Sequence, residues 1–507
     1  MPNKISFESA RNALADARLL VAASRMISSD KKGFPQNRTD GLQDTDIFIA
    51  IKGEHTDSHD LIALAVRNGA GMLVIENREK LGALATAEHT VNWLQVSNTR
   101  AAWTILSARA YGNPEQKLQF YGVTGTDGKT STVWLASQLI RRHQQKCLSL
   151  GTLGAYDGTT HWKLEHTTAD PPVFFSALAD CKAKAIPNVI MEVSSHSLIQ
   201  QKVCNIKFSG AVLTSFSRDH LDFHKNMKDY WAAKCLLFES LLKKDGKAIV
   251  HHKLLEDFPE ASIPTRDLWT YGFDPEQNVK RDLHVALLDC QPHTHGQYIR
   301  FTFRGETFEG AIPYLGMHNA ENFIAAWLIA ESVLSYSPAP ETWTDLAPIP
   351  GRCELVSTSE SAPKVYVDFA HTPQALRMIL TTLRKSVRGK LWVVFGCGGD
   401  RDRGKRPEMA AIAEILADRL FLTSDNPRHE EPLSIIAEMR AGLKMPTQAT
   451  IEVDRKKAIG LAIKEAALMD TILIAGKGHE SEQIIGDRKT PFSDQATARQ
   501  FLKDLWS

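Results

Sequence analysis

Apolar runs recur along the chain and alternate with amphipathic stretches, the pattern of buried strands separated by helices. In the first part, residues 46–51 and 71–75 read as strands and 59–68 as a helix. A strand at 118–123 then runs into a glycine- and threonine-containing loop, and a helix follows from about Thr130. Further strands are expected at 188–192 and 210–214. The stretch 280–312 differs: Val285-Ala286-Leu287-Leu288 and Tyr298-Ile299-Arg300-Phe301-Thr302-Phe303 read as a small antiparallel excursion. Beyond it, strands at 365–367, 391–395, 419–423 and 471–475 alternate with helical segments. Runs apolar on both faces belong in mostly parallel sheets covered by helices on each side, so the expected fold class is α/β.

Turn chemistry divides this pattern. Tyr111-Gly112-Asn113-Pro114 and Pro348-Ile349-Pro350-Gly351 read as linkers. The 507 residues correspond to about three domains at ordinary domain size. The expected units are 1–112, a small α/β domain; 113–347, a central doubly wound domain built on the loop after 118–123; and 348–507, a second doubly wound, Rossmann-like domain. In the last, the polar residues follow strand C-termini, where open α/β sheets bind ligands.

Composition narrows the function classes. Hydrophobic residues make up 43%, charged residues 23%, and the formal net charge is +1, so no global field favours nucleic acid or a membrane surface. Seven cysteines occur without a Cys-x-x-Cys pair, which argues against a disulfide framework or structural zinc and fits a reducing cytosol. The N-terminal residues lack a basic segment followed by an apolar run, and no stretch approaches a membrane-spanning length. A cytoplasmic protein is expected.

Gly125-Thr126-Asp127-Gly128-Lys129-Thr130-Ser131 lies between a strand and a helix. Glycines let backbone amides turn toward phosphate oxygens, the helix N-terminus adds partial positive charge, Lys129 adds a full one, and Thr130 offers a hydroxyl to magnesium. The first glycine of the usual phosphate-loop pattern is replaced by Val123, so this is a compact variant. Glu192, just after a buried strand, is placed to act as a second magnesium-holding group, and His220 after the next strand is a candidate metal ligand.

The ordered strings TGTDGKTS at 124–131, MEVSSHSL at 191–198, SRDHLDFH at 217–224, PGRCE at 350–354, DFAHTPQAL at 368–376, GCGGDRDRGKRP at 396–407, DNPR at 425–428 and GKGHE at 476–480 resemble the Mur ligase family across essentially the whole chain. The resemblance implies an N-terminal domain for a UDP moiety, a central ATPase and a C-terminal domain for an incoming amino acid. It also implies a reaction. A substrate carboxylate attacks the γ-phosphate of ATP, and the amine of the amino acid then displaces phosphate from the acyl phosphate. Cations positioned on the transferring phosphoryl group are the main catalytic need. By resemblance, Gly125 to Ser131 cradle ATP; Thr130, Glu192 and His220 hold Mg2+; and Lys234 stands where the family carries a carbamylated lysine. The catalytic set is then Lys129, Glu192, His220 and Lys234. Asn322 resembles an adenine contact, and Arg352 and Asp368 resemble interdomain ATP contacts, with His371 in the same motif. Thr39, His166, Thr167, Thr168, Ser194, Gln200 and Lys202 match positions that bind UDP-MurNAc-L-Ala-D-Glu.

The choice of amino acid is expected to rest on Asp425, Asn426, Pro427 and Arg428. A guanidinium grips a carboxylate through two parallel hydrogen bonds, so Arg428 favours meso-2,6-diaminopimelate, which carries a second amino-acid head, over lysine, which carries an ammonium there. Arg401, Gly476 and Glu480 match further positions that contact this ligand, Glu480 suiting its ammonium. The pattern departs from the family in places: Arg38-Thr39-Asp40 replaces an Asp-Ser-Arg signature, Ala169 a proline, Asp127 and Ser215 asparagines, Gln374 an aspartate, and Lys202 an arginine. The alternatives are a Mur-type ligase for L-lysine or another acceptor, and a non-catalytic nucleotide-binding protein that kept the fold. A monomer acting on small-molecule substrates is expected.

Overall fold

The computed structural model describes residues 2–24, 32–53, 56–85, 91–258, 263–264, 266–275, 283–293, 296–357 and 359–506. Three main sheets carry the fold.

The first has the order Leu20–Ser24, Asn92–Val96, Met72–Ile75, Ile47–Ile49, Pro35–Gln36, parallel except for its first strand. Asn98 caps the helix Thr99–Ala110 through the Ala101 amide, as a short acceptor side chain does for an otherwise unpaired donor. This helix buries Ala102, Trp103 and Leu106 in the core of this unit. The helix expected over 59–68 is in two parts: a 3-10 turn Ser58–Leu61, held by the Asp57 carboxylate on the His59 amide, and an α-helix Ile62–Arg67.

The second sheet has eleven strands in the order His161–Trp162, Gly154–Tyr156, Cys147–Gly151, Asn188–Glu192, Gln119–Thr124, Phe208–Leu213, Leu242–His251, Leu268–Phe273, Val285–His293, Gly296–Phe303, Glu306–Ile312. Its middle strands are parallel and its ends antiparallel. Side chains of a strand alternate between faces. Tyr121 and Val123 accordingly join one core with the helices Lys129–Arg142 and Met317–Leu334, while Phe120 joins the other with Phe174, Phe175 and Leu178 of the helix Pro171–Ala183. The antiparallel excursion is not separate. Val285 pairs with Tyr271, so the three strands extend the parallel sheet and cover its edge. Residues 280–282 and 294–295 of that stretch lie outside the described residues.

The third sheet has the order Glu354–Leu355, Lys364–Asp368, Thr471–Ala475, Leu391–Phe395, Arg419–Leu422, Ala449–Ile451, with only the first strand antiparallel. Leu391, Val393 and Phe395 face one core, Trp392 and Val394 the other. Polar contacts join the sheets' surroundings: Thr104 Oγ1 donates to Gln201 O at 2.8 Å, Arg401 meets Asp222 at 3.3 Å, Arg218 meets Asp402 at 3.3 Å, and Lys163 meets Glu482 at 2.7 Å. All seven cysteines are free thiols. Among the described residues no helix is long and apolar enough to cross a membrane.

Candidate active site

The loop 125–128 leaves the C-terminal end of Gln119–Thr124, between the neighbouring strands Asn188–Glu192 and Phe208–Leu213. Two glycines are required there. Gly125 (φ 151°) and Gly128 (φ 87°) have left-handed backbones, and a Cβ would sit 2.1 Å from Thr214 Oγ1 and 2.4 Å from Asn322 Oδ1 respectively. The loop is fixed from the next strand: Thr214 Oγ1 and Ser215 Oγ donate to Asp127 O at 2.6 and 3.0 Å. The serine that departs from the family's asparagine thus keeps a hydrogen bond to the loop.

Two buried amines converge on one carbonyl. Lys129 Nζ donates to Gly125 O and Thr126 O, each at 2.8 Å, and Lys234 Nζ donates to Gly125 O at 2.8 Å while sitting 4.4 Å from the centre of the Tyr230 ring. Burial lowers the pKa of both. Lys234 is held well below the ordinary lysine range by burial and by Lys129.

Glu192 is buried and fully engaged. Its carboxylate accepts from Thr130 Oγ1 (3.0 Å), Thr152 N (2.7 Å) and Thr152 Oγ1 (3.2 Å). Arg352, from beyond the second linker, donates to the same Thr130 hydroxyl at 3.1 Å and lies 4.5 Å from the centre of the Phe369 ring. Its Nε is buried without a hydrogen-bond partner among the described residues, a donor left for an incoming acceptor. Asp368 accepts from the Cys353 and Ala370 amides at 2.6 and 2.7 Å. Burial raises its carboxyl pKa.

His220 (φ 55°) has its Nε2 3.4 Å from Asp219 Oδ2, and His371 Nε2 reaches that oxygen at 3.7 Å. Burial alone would raise the Asp219 pKa, but the His371 side chain and nearby positive charge, Lys405 included, hold it well below the usual carboxylate range. Burial pushes His220 down to about 3, which leaves a neutral ring with a free lone pair, the form that binds metal. Among the described residues no group of three or more His, Cys, Asp or Glu side chains forms a self-contained metal site. One carboxylate, one hydroxyl and one neutral imidazole nevertheless border the same cavity. That sparse set suits magnesium, which fills its shell with phosphate oxygens and water.

Two cavities meet at the loop. The larger, about 670 Å³, is bordered by residues of all three sheet units; the smaller, about 350 Å³, runs toward Asn322 and Asp368. Asp127, Gly128 and Arg352 border both. Thr126, Lys129 and Thr130 face the larger and Ser131 the smaller. Gly125 borders neither, its carbonyl being turned to the two lysines. Glu192, His220, Lys234, His166, Thr167, Thr168, Ser194, Gln200 and Lys202 all border the larger cavity. Lys202 is paired there with Asp170 at 2.7 Å. Thr39 does not reach it. It sits on an exposed turn flanked by the Arg38–Asp40 pair (3.6 Å), with its carbonyl taking the Asn68 amide at 3.0 Å, and Asn37 faces the cavity instead.

Arg401, Asp425, Asn426, Arg428, Gly476 and Glu480 come together at the far side of the same cavity. Pro427 does not border it and shapes the turn, its carbonyl accepting from Glu430 N at 3.0 Å and approaching Gly399 closely. Arg428 (φ 51°) donates from Nη1 to Gly399 O at 2.8 Å, and burial followed by the nearby Arg401 lowers its pKa. Sequence reading missed Lys477. Fully buried, its Nζ donates to Asn426 Oδ1, Glu480 Oε2 and Glu482 O at 3.0, 2.7 and 2.8 Å, tying the 425–428 turn to the 476–480 loop. Its place between two glycines at a strand end was the available signal. Arg100 and Trp103 of Thr99–Ala110 also face the cavity; nothing in a helical Arg and Trp distinguishes them in the sequence.

Residues 123–330 match the model of the Mur ligase middle domain, and 351–478 that of the Mur ligase, glutamate ligase domain. A UDP-N-acetylmuramoyl-L-alanyl-D-glutamate–2,6-diaminopimelate ligase from Coxiella burnetii is 35% identical over 474 residues, 91% of this chain and 94% of that one. One of the same name from Parasynechococcus marenigrum is 37% identical over 476 residues, 90% and 92% of the two chains. A solved structure of a ligase of that name superposes with TM-score 0.65 at 29% identity, covering 99% of each chain. A MurF ligase from Thermotoga maritima in complex with ADP shares the fold, with TM-score 0.60 at 17% identity over 94% of this chain and 97% of that one. With this identity over nearly its full length, and with both family domains in order, the chain belongs to the Mur ligase family.

Proposed function

We propose that this protein is an ATP-dependent ligase that adds meso-2,6-diaminopimelate to UDP-MurNAc-L-Ala-D-Glu, forming an amide bond with release of ADP and phosphate. The observation that carries the reading is the single large cavity that runs from the phosphate loop to the paired arginines Arg401 and Arg428. The relatives named above, more than 30% identical over nine-tenths of the chain, support the same substrates.

In this reading the domains are 1–112 for the UDP-sugar, 113–347 for ATP and 348–507 for the amino acid. The base of ATP lies in the smaller cavity against Asn322, with Asp368 and Arg352 at the junction. Lys129 and the amides of 128–131 take the phosphates, the Thr126 and Asp127 amides being bound to Ser215. Glu192, Thr130 and His220 would hold magnesium, which when bound would supply positive charge to offset that of the phosphates. The cavity side chains His166, Thr167, Thr168, Ser194, Gln200 and Lys202 align the D-glutamyl carboxylate for attack on the γ-phosphorus. Arg352 stabilises the charge that develops on the transferring oxygens. The amine of the amino acid, oriented by Asp425, Asn426, Arg428, Gly476 and Glu480, then attacks the acyl phosphate carbon and phosphate departs. Proximity supplies much of the rate, since the two reacting ends are gripped by different domains.

Lys234 is read as carbamylated. A buried amine with a depressed pKa keeps a lone pair free to add to CO2 with loss of a proton, and the resulting anion would stand as a counter-charge to the Lys129 ammonium. The reading carries with it a cytoplasmic monomer without nucleic-acid or membrane partners.

The test is phosphate release by the purified protein with ATP, magnesium and UDP-MurNAc-L-Ala-D-Glu, with diaminopimelate or L-lysine added separately. Release that depends on diaminopimelate is expected. Release with lysine alone would overturn the assignment to Arg428, and release with neither would overturn the acceptor.

A further inference from the structure

The loops that carry the expected amino-acid pocket leave three adjacent strands of the third sheet. Leu391–Phe395 lies in the middle, flanked by Thr471–Ala475 and Arg419–Leu422. Behind them sits Arg455, the first residue of the helix Arg455–Glu465, with no side-chain exposure. Its guanidinium is bidentate to Asp494, which opens the helix Asp494–Trp506 and is equally buried (Nε–Oδ1 2.8 Å, Nη2–Oδ2 2.7 Å). The remaining donors reach two backbone carbonyls: Nη2 to Ala475 O at 2.8 Å and Nη1 to Ser424 O at 3.3 Å.

Those carbonyls are placed at the chain's exits. Ser424 immediately precedes Asp425, and Ala475 immediately precedes Gly476. One planar group therefore bridges the two outer strands at the points where their pocket loops begin, beneath the loop from the middle strand. The three exits are packed tightly: a Cβ on Gly396 of the middle loop would sit 2.3 Å from Thr423 O, and one on Gly476 would sit 2.6 Å from Asp425 Oδ2 and 3.6 Å from Gly396 O. A guanidinium supplies several donors in a fixed plane, whereas an ammonium cannot span a carboxylate and two carbonyls in that geometry. Burying an ion pair is not by itself a route to stability, since apolar residues of similar volume do as well. What an apolar pair cannot do is hold the two carbonyls.

We propose that Arg455, clamped by Asp494, is a positioning residue for the amino-acid pocket: it fixes where the 424–428 and 476–480 loops leave the sheet and so sets the spacing of Arg428 and Glu480. It touches no substrate and acts through the loops. The proposal rests on the assignment of that pocket to the amino acid.

The test uses the full-length enzyme and the double variant Arg455→Met/Asp494→Leu, which removes both charges together and leaves no unpaired buried ion. The expected result is a cooperative melt near that of the wild type, a KM for diaminopimelate raised at least about tenfold, and KM values for ATP and the UDP-substrate within about twofold of wild type. An unchanged KM for diaminopimelate in the folded double variant overturns the proposal, as does an equal rise for all three substrates, which a general loosening would give. If the double variant does not melt cooperatively, Arg455→Lys carries the same KM criterion. Hydrogen–deuterium exchange separates this test from the functional reading. If wild-type enzyme shows no amino-acid-dependent turnover, the reading fails on its own. The clamp is then judged by whether 424–428 and 476–480 exchange faster in the variant while 123–131 does not; equal exchange in both regions overturns it.

Discussion

Arg352 Nη2 lies 3.1 Å from Thr130 Oγ1, and that hydroxyl donates onward to Glu192 Oε2 at 3.0 Å. A residue that follows the second linker is thereby tied to the first turn of the phosphate-loop helix and to the carboxylate opposite it. The Thr130 hydroxyl is shared between a cation and an anion from two domains. Domain placement and phosphate-site geometry are consequently one problem in this molecule.

Replacing Arg352 with lysine keeps the charge but loses the planar fork and the stacking on Phe369. Hydrogen bonds involving a charged partner contribute about 1.5–3 kcal/mol, so Arg352→Lys should lower kcat/KM for ATP by roughly ten- to a hundredfold. The melting temperature should stay close to wild type. Steady-state kinetics at varied ATP, with a thermal melt alongside, check both halves.

Gly151 closes the strand beside Glu192, and a Cβ there would stand 2.2 Å from Glu192 Oε1. Gly151→Ala must push the carboxylate away from Thr130 and Thr152. A displacement of about 1 Å at a reacting centre costs on the order of a hundredfold in rate. The variant should show that fall in kcat together with a higher magnesium requirement, read from activity titrated with magnesium.

The amine of Lys234 is buried between Lys129 and the Tyr230 ring. Arginine is never neutral at working pH, so Lys234→Arg cannot form a carbamate and should lose at least about a hundredfold in kcat, on the scale of a lost electrostatic contact at the reacting centre. Wild-type enzyme equilibrated with carbon-13-labelled bicarbonate should give a carbamate resonance that Lys234→Arg lacks. A wild-type spectrum without that resonance would remove carbamylation from the mechanism.

Lys477 has three acceptors and no exposure. Glu480 is partly exposed, so removing the cation mainly leaves the Asn426 and Glu482 oxygens without a donor at about 1–3 kcal/mol, and Lys477→Met should lower the melting temperature of the C-terminal unit by several degrees. Differential scanning calorimetry resolves whether that transition moves alone.

Burial, then Arg352 and Lys477, pushes His479 down to about 3 from its ordinary 6.5. Between those values the unfolded imidazole binds a proton and the folded one does not. The unfolded state therefore carries more protons, and stability falls as pH drops below about 6.5. His479→Phe should narrow the drop in melting temperature between pH 7 and pH 5. An equal drop in wild type and variant would show that His479 binds protons alike in the folded and unfolded states and does not contribute to the acid sensitivity.

Much of this molecule is written in local sequence. Strand, glycine turn and helix at 118–142 follow from apolar periodicity and from the two positions where only glycine fits, and strand-end polar residues marked both binding regions. Periodicity could not show that the antiparallel strands 285–312 extend the central sheet, because pairing Val285 with Tyr271 is a contact between segments whose intervening residues carry no signal of it. Thr39 and Pro427 had the right chemistry and neighbours in the sequence, yet the chain turns them away from the cavity. Lys477 and Arg455 are not singled out by local sequence as buried, since only tertiary packing brings Asn426, Glu480 and Glu482 around the one and Ser424, Ala475 and Asp494 around the other. The sequence by itself determined the element types, the phosphate loop and the family to which those motifs belong, because backbone sterics and residue spacing act locally. The tertiary structure decided which side chains share a cavity and which groups hold them there, because hydrogen-bond geometry and burial depend on residues distant along the chain.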